Sequence, residues 1–499
     1  MKIGIHNDKG RCPMQTFFFA YLWNMSGMKK LMGDTALYGL SSILARVLNF
    51  ALTPLLTVVL SKSEYGVNSL LYVSIAFLMV ILTYGFETAY FRVSQKKGAD
   101  EDAVYSTAMW SLLGSTALFL AAMAFVYPQA ASLLRMDDRP YLVLWMAWIV
   151  AMDVIAAVPF ARLRAQNRAK RFVAIKITQI AVNFILCYGF FLILPKAGIW
   201  LPDWQVGWVL LANLAASAAM LFMLLPEFFA IQRRFDTGIW KTMLAFGFPL
   251  LLAGLPGVAN EMADRFFIEY LMPAATAKEA VGTYSAIYKL SIFIILFNQA
   301  FRFAAEPFFF KESAQTRQQL ADVLRLFTGI LCIGMVWVLA ALGGIKYFID
   351  PKYWDSLHIL YALLLANVFL SMNTQISMWY KLSDQTRMGV YITLTGFVVT
   401  VVGNLALIPH LGIEGAAWTT LGSYITMTAL SIVLGQYYFP VPYAFGRLAL
   451  YVGAAAILGH MALYFSLTTL WPSVLAACAM LGLVLYAERK VLFGHKNAR

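Results

Sequence analysis

The sequence predicts an all-α protein that crosses a membrane many times, and three observations predict it. Of its 499 residues, 61% are hydrophobic and only 13% are charged, about half the charged share of an ordinary soluble domain. Apolar runs of about 20 residues recur from one end to the other, each long enough to cross a bilayer as a helix. The runs are continuous, whereas a membrane barrel is built of short strands that alternate in hydropathy.

Fourteen spans are expected, at 34–60, 67–92, 103–127, 140–165, 171–194, 205–230, 242–272, 280–306, 318–345, 355–380, 387–408, 412–437, 444–466 and 468–488. The connections are too short to hold a soluble domain. Pro54 is expected to kink the first span, and Pro249 and Pro256 to break the seventh. Trp200, Trp204, Trp208, Tyr353 and Trp354 fall at span ends, where an interfacial aromatic belt belongs. Ahead of the first span, Thr16 to Trp23 is apolar but too short to cross. Met28-Lys29-Lys30 reads as a second start, so residues 1–27 are either an upstream extension or an interfacial segment.

Loop charge orients the chain. If the N-terminus lies inside, 25 of the 38 Lys and Arg residues fall on the inner side, seven fall outside, and six lie within spans. The bias places both termini in the cytoplasm. The net charge of +13 is therefore mainly a topology signal, and no nucleic-acid partner is expected.

The chain also repeats. At an offset of about 215 positions, Gly39-Leu40 matches Gly254-Leu255. Gly66, Ser69 and Tyr72 match Gly282, Ser285 and Tyr288, and Leu194-Pro195 with Gly198-Ile199 falls near Ile408-Pro409 with Gly412-Ile413. Six spans separate the copies, so both enter the membrane from the same side. The expected units are a segment at 1–33, six-helix bundles at 34–236 and 237–440, and two additional helices with a tail at 441–499. The two bundles would be pseudo-symmetric, with a substrate cavity between them.

Charged residues inside spans are costly and mark function by default. In the first span Thr35, Tyr38, Ser42, Arg46, Asn49, Thr53 and Thr57 share one helix face. Arg46 has no acidic neighbour three or four positions away. The second span carries Glu87, the fourth Asp153 and the fifth Lys176, which is near enough to the surface to snorkel. Glu87 has Arg46 and Arg92 as candidate partners. The seventh span carries Glu261, Asp264, Arg265 and Glu269. Glu261 and Glu269 lie four residues either side of Arg265 and offer to neutralise it. The eighth carries Tyr288, Lys289, Asn298, Gln299, Arg302 and Glu306. Arg46, Arg265, Lys289 and Arg302 are the candidate anion-binding residues. Ser42, Asn49, Thr53, Tyr288 and Gln299 are the candidate polar lining. Glu87, Asp153, Glu261, Asp264 and Glu306 are candidates for binding a coupling H⁺ or Na⁺.

Other chemistry finds little support. Cys12, Cys187, Cys332 and Cys478 have no metal-ligand spacing, the five histidines are unpaired, and there is no nucleotide-binding loop. No catalytic residue, metal or cofactor is expected.

Several stretches resemble the polysaccharide-exporter and oligosaccharide-flippase (Wzx-type) branch of the multidrug/oligosaccharidyl-lipid/polysaccharide (MOP) exporter superfamily. They are Leu60-Ser61-Lys62-Ser63-Glu64-Tyr65-Gly66, Asp264-Arg265-Phe266-Phe267-Ile268 with Val281 to Leu290, and Ile408 to Ala417. The resemblance covers about residues 30–490. It implies two six-helix bundles plus two helices in a bacterial cytoplasmic membrane. The activity it implies is movement of undecaprenyl-pyrophosphate-linked oligosaccharide, such as O-antigen precursors of lipopolysaccharide, to the outer leaflet. Membrane lipids and glycan polymerase machinery are its implied neighbours. The acidic cluster of the seventh span departs from the cationic cavities of such flippases. That departure keeps open a cation-coupled drug exporter of the related multidrug and toxic compound extrusion (MATE) family. A membrane polymerase or glycosyltransferase is a third reading, and the short outer loops leave little room for its chemistry.

Overall fold

The computed structural model describes residues 43–44, 46–198, 204–309, 316–466 and 470–489. Its helices are α1 (Arg46–Val59), α2 (Lys62–Thr83), α3 (Phe86–Ser94), α4 (Glu101–Leu133), α5 (Tyr141–Ala165), α6 (Ala169–Leu192) and α7 (Gln205–Phe229). Then follow α8 (Thr237–Met262), α9 (Asp264–Leu271), α10 (Ala274–Leu290), α11 (Ile292–Phe309) and α12 (Thr316–Ala340). After short turns come α13 (Ile359–Ile376), α14 (Met378–Leu382), α15 (Thr386–Leu411), α16 (Ile413–Tyr438), α17 (Phe445–Ser466) and α18 (Leu470–Ala487).

Eleven described helices are long and apolar enough to cross a membrane, and twelve if the bent pair α10–α11 is one span. They correspond to expected spans two to thirteen. The first and fourteenth expected spans occur among the described residues as the shorter apolar helices α1 and α18, so the count of fourteen is not met by length alone. The chain is an all-α, multi-pass membrane protein.

Four spans break differently from expectation. Pro249 and Pro256 lie inside α8 without ending it, because neighbouring helices can re-satisfy the backbone groups that proline frees. The seventh span is interrupted only at Ala263, between α8 and α9. The second span, expected to be continuous, divides where Tyr84 and Gly85 take φ of 32° and 75°. In α1 the ladder is interrupted at Leu52, which leaves Pro54 in a first turn where its missing N–H is harmless. The α10–α11 span bends by 48°. There the Ser291 hydroxyl donates to the Tyr288 carbonyl at 2.7 Å and receives the Asn367 amide at 3.2 Å. A side chain tapping the ladder is a recognised cause of such a kink.

In the first half, α4–α7 pack on one another and α2 lies against α5. In the second, α13, α15 and α16 pack together and α8 lies on α15, while α17 and α18 pack on α12. The halves meet most closely where α2 crosses α10. A Cβ on Gly66 would overlap the Lys278 carbonyl, and one on Gly282 would overlap the Lys62 carbonyl. The two glycines that the sequence repeat matches are thus the two that face each other, at the end that loop charge assigns outside.

Candidate substrate chamber

Helix α9 begins with two charges that point to different places. Asp264 is fully buried. It accepts the Tyr284 hydroxyl at 2.7 Å, the Asn404 amide at 2.9 Å and the Thr420 hydroxyl at 2.8 Å. These donors come from α10, α15 and α16, so the carboxylate ties three helices to its own. One turn away, the Asn260 amide donates to the Thr393 carbonyl at 3.0 Å, and Asn260 accepts from Thr400 and Tyr424 at 3.2 Å. A buried charge in an apolar molecule persists only with such partners. Within this group the Asn404 Oδ1 is buried without a partner.

Arg265 turns the other way. Its Nη1 donates to the Glu261 carbonyl at 2.8 Å. Its guanidinium carbon lies 4.5 Å from the Tyr288 ring centroid and 5.1 Å from that of Tyr284. A desolvated cation over an aromatic face gains about 2 kcal/mol. Neutralisation by two glutamates is not what the structure contains. Among the described residues Arg265 makes no ion pair, and Glu269 faces Arg135 and Lys278 instead. Tyr284 serves both charges: its hydroxyl meets Asp264 and its ring faces Arg265.

Lys289, one residue beyond the buried Tyr288, is exposed. Arg265, Glu261 and Arg46 are all near enough for their charges to act on Lys289, and Arg46 and Arg265 likewise act on Tyr288. Arg46 is exposed, with no ion pair among the described residues. α1, α9 and α10 thus bring Arg46, Arg265 and Lys289 to one place. Arg302 is exposed further along, beyond the bend.

Other sequence candidates fall elsewhere. Thr53 is 2% exposed and its hydroxyl meets that of Tyr65, so it packs and does not line a chamber. The polar arc of a single helix could not reveal that, because α2 covers part of it. Gln299 is buried, Tyr288 lies beneath Arg265, and Asn49 is exposed. Ser42 and the side chain of Glu306 lie outside the described residues. Glu87 pairs with Arg164, not with Arg46 or Arg92, and Arg92 stacks on Phe246 at 4.3 Å. Asp153 accepts Ser217 at 2.9 Å and Gln179 at 3.4 Å. Lys176 is partly exposed, with its ammonium 4.2 Å from the Phe160 ring centroid. Sequence reasoning passed over Tyr284, Asn404 and Thr420. They lie on three separate helices, and only the fold gathers them around Asp264. Among the described residues no three His, Cys, Asp or Glu side chains gather as a metal site.

A family model described as polysaccharide biosynthesis protein matches residues 55–328, more than half of the chain. The chain belongs to this family. No curated protein matches it. Among solved structures it is similar to a lipid II flippase, MurJ, in an inward closed conformation. The identity is 14% over 91% of this chain and 99% of that one, with a TM-score of 0.68. It is also similar to a multidrug resistance MATE family transporter of the MOP superfamily. The inward-facing form is 14% identical over 82% of this chain and 95% of that one, TM-score 0.61. The outward-facing form is 16% identical over 85% and 95%, TM-score 0.51. At these identities the likeness is one of fold. The chain is thus a member of the polysaccharide biosynthesis protein family with the fold shared by MurJ and the MATE transporters.

Proposed function

We propose that the protein flips a lipid-linked oligosaccharide, carried on undecaprenyl pyrophosphate, from the inner to the outer leaflet of a bacterial cytoplasmic membrane. The two halves act as six-helix bundles around a pseudo-two-fold axis, with α17 and α18 as an addition and both termini in the cytoplasm. The supporting observation is the gathering of Arg46, Arg265 and Lys289 where α1, α9 and α10 meet, with Arg46 and Lys289 exposed and Arg265 buried beside them. Three cations in a partly desolvated chamber attract a dianion strongly. Arginine suits pyrophosphate because its planar fork makes paired bonds to phosphate oxygens. The lipid tail stays in the bilayer, and the sugars occupy the chamber loosely.

Of the five coupling candidates we favour Asp264. It is a buried carboxylate that receives two hydroxyls and the Asn404 amide, and the Asn404 Oδ1 nearby has no partner; carboxylate, hydroxyl and amide oxygens are the groups that a hard cation takes, and the carboxylate can instead take a proton. Asp264, Asn404 and Thr420 would hold the ion, and the ion would supply charge balance for the buried carboxylate. Tyr284 then links ion and cargo, because one side chain touches both Asp264 and Arg265. The drug-exporter reading needs free acidic groups in the chamber; Asp264 is engaged inside the second half, which leaves Glu261.

Arg46→Ala and Arg265→Ala tested by complementation decide between these readings. Both should abolish surface-polysaccharide assembly while the protein still inserts at normal levels. Assembly that continues in well-inserted variants, or resistance to cationic drugs conferred by the parent chain, would overturn the proposal.

A further inference from the structure

Helix α4 ends in a turn that a glycine ordinarily closes. The Arg135 amide donates to the Ser132 carbonyl at 2.9 Å and the Met136 amide to the Ala131 carbonyl at 2.8 Å. Arg135 itself takes a left-handed φ of 53°, which suits glycine or asparagine and strains other residues. An arginine there is accounted for by what it holds. Its Nη1 donates to the Glu269 carbonyl at 2.7 Å, and its guanidinium lies 5.2 Å from the Tyr270 ring. Its own carbonyl accepts from Lys278 Nζ, and the Tyr270 hydroxyl donates to the Leu133 carbonyl. These contacts tie a turn of the first half to α9 and α10 of the second. They lie at the same end of the molecule as the Gly66–Gly282 crossing. Arg139 pins the loop to α2 through Glu64 at 2.7 Å.

Glu269 sits within this clasp. It is 1% exposed, and its Oε2 is buried without a hydrogen-bond partner. Arg135 from the loop and Lys278 from α10 are the cations whose charges reach it. Both of them spend a hydrogen bond on a backbone carbonyl of the opposite half, so the carboxylate acts on them through space. Without it, two partly desolvated positive charges would face each other at the interface.

We propose that Arg135, Glu269 and Lys278 form the lock of the outer gate. The buried carboxylate holds both cations in the clasp, and the clasp parts whenever the chamber opens outward. The lock rests on alternating access between the halves but not on the identity of the cargo. The backbone-directed bonds suit a gate, since water can replace each of them once the halves separate.

Thiol labelling of the chamber tests the lock. The reporter is Lys289→Cys in a chain carrying Cys12→Ser and Cys478→Ser; Cys187 and Cys332 are buried. A membrane-impermeant maleimide is applied to intact cells, and labelling of inverted vesicles reports correct folding. Labelling from outside should be slow in this parent. Glu269→Gln should speed it about tenfold, the scale expected from removing one partly desolvated charge–charge attraction. Gly282→Ala, which forces the α2–α10 crossing apart, should do likewise. Arg135→Gly separates gating from folding. It relieves the strained turn and should leave the fold at least as stable, yet outside labelling should again rise about tenfold. Unchanged outside labelling in Glu269→Gln and Arg135→Gly overturns the lock alone. Fast labelling of the parent overturns the closed gate, and the lock with it. Neither outcome depends on whether the cargo is a glycan.

Discussion

Asp264 and Arg265 are neighbours in sequence and partners in nothing else. Successive helix residues point about 100° apart, so the carboxylate enters the second half while the guanidinium meets the rings of α10. Among the described residues, Tyr284 touches both. Tyr284→Phe removes the hydroxyl from Asp264 and leaves the ring beside Arg265. A hydrogen bond to a buried charge contributes about 1.5–3 kcal/mol. The expected outcome is a folded protein that binds cargo as before but transports about tenfold slower at a limiting ion gradient. Proteoliposome flux against binding measures the split; equal flux at that gradient would remove Tyr284 from the coupling. Arg46 carries a second expectation. Arg46→Lys keeps the charge but loses the planar fork, so polysaccharide assembly should fall well below that of the parent in the same complementation test.

Elements carry the lesson about what the sequence can reveal. Long apolar runs placed twelve spans because crossing a bilayer is a one-dimensional requirement of length and hydropathy. The offset match pairs Gly66 with Gly282, and these two glycines meet across α2 and α10. Partners were not legible, because they depend on which helices become neighbours. Glu87 had Arg46 and Arg92 within sequence reach and found Arg164. Proline is a poor guide to breaks in this chain, since α8 runs through two of them while Tyr84 and Gly85 divide α2 from α3. The terminal pair of helices shows how a hidden partner acts. Glu488, 1% exposed, accepts from Arg447 at 3.2 Å and from Tyr451 at 2.6 Å, and pairs with Arg325 of α12 at 3.0 Å. It therefore fastens α17 and α18 to α12. Removing one partner of a buried charge cluster costs about 3–5 kcal/mol. Glu488→Ala should lower the thermal unfolding midpoint in detergent and make the α17–α18 connection the first site of limited proteolysis. A midpoint equal to that of the parent would show that packing alone holds the pair.

At the scale of the molecule, the ion and the cargo can influence each other only if each prefers one arrangement of the halves. Asp264 joins α9 to α10, α15 and α16 and so sets the internal geometry of the second half. Arg265, on the next residue, lies against the rings of Tyr284 and Tyr288 on α10. An ion held by Asp264, Asn404 and Thr420 would favour the packing in which those helices converge, and that packing fixes where Tyr284 and Arg265 stand. A ligand that binds only the folded state stabilises it by RT ln(1 + [L]/Kd), about 2.7 kcal/mol at a hundredfold excess over Kd. Sodium should therefore raise the melting point of the purified protein where potassium at the same ionic strength does not, and Asp264→Asn should erase the difference. If the coupling ion is the proton, sodium will have no such effect. In that case Asp264→Asn, a fixed neutral mimic of the protonated acid, should abolish the pH dependence of transport and leave exchange of cargo without net flux. A protein whose melting point ignores sodium, and whose Asp264→Asn variant keeps a pH-dependent flux, would carry its coupling ion elsewhere. Asp153, held by Ser217 and Gln179 in the first half, would then be the carboxylate to replace next.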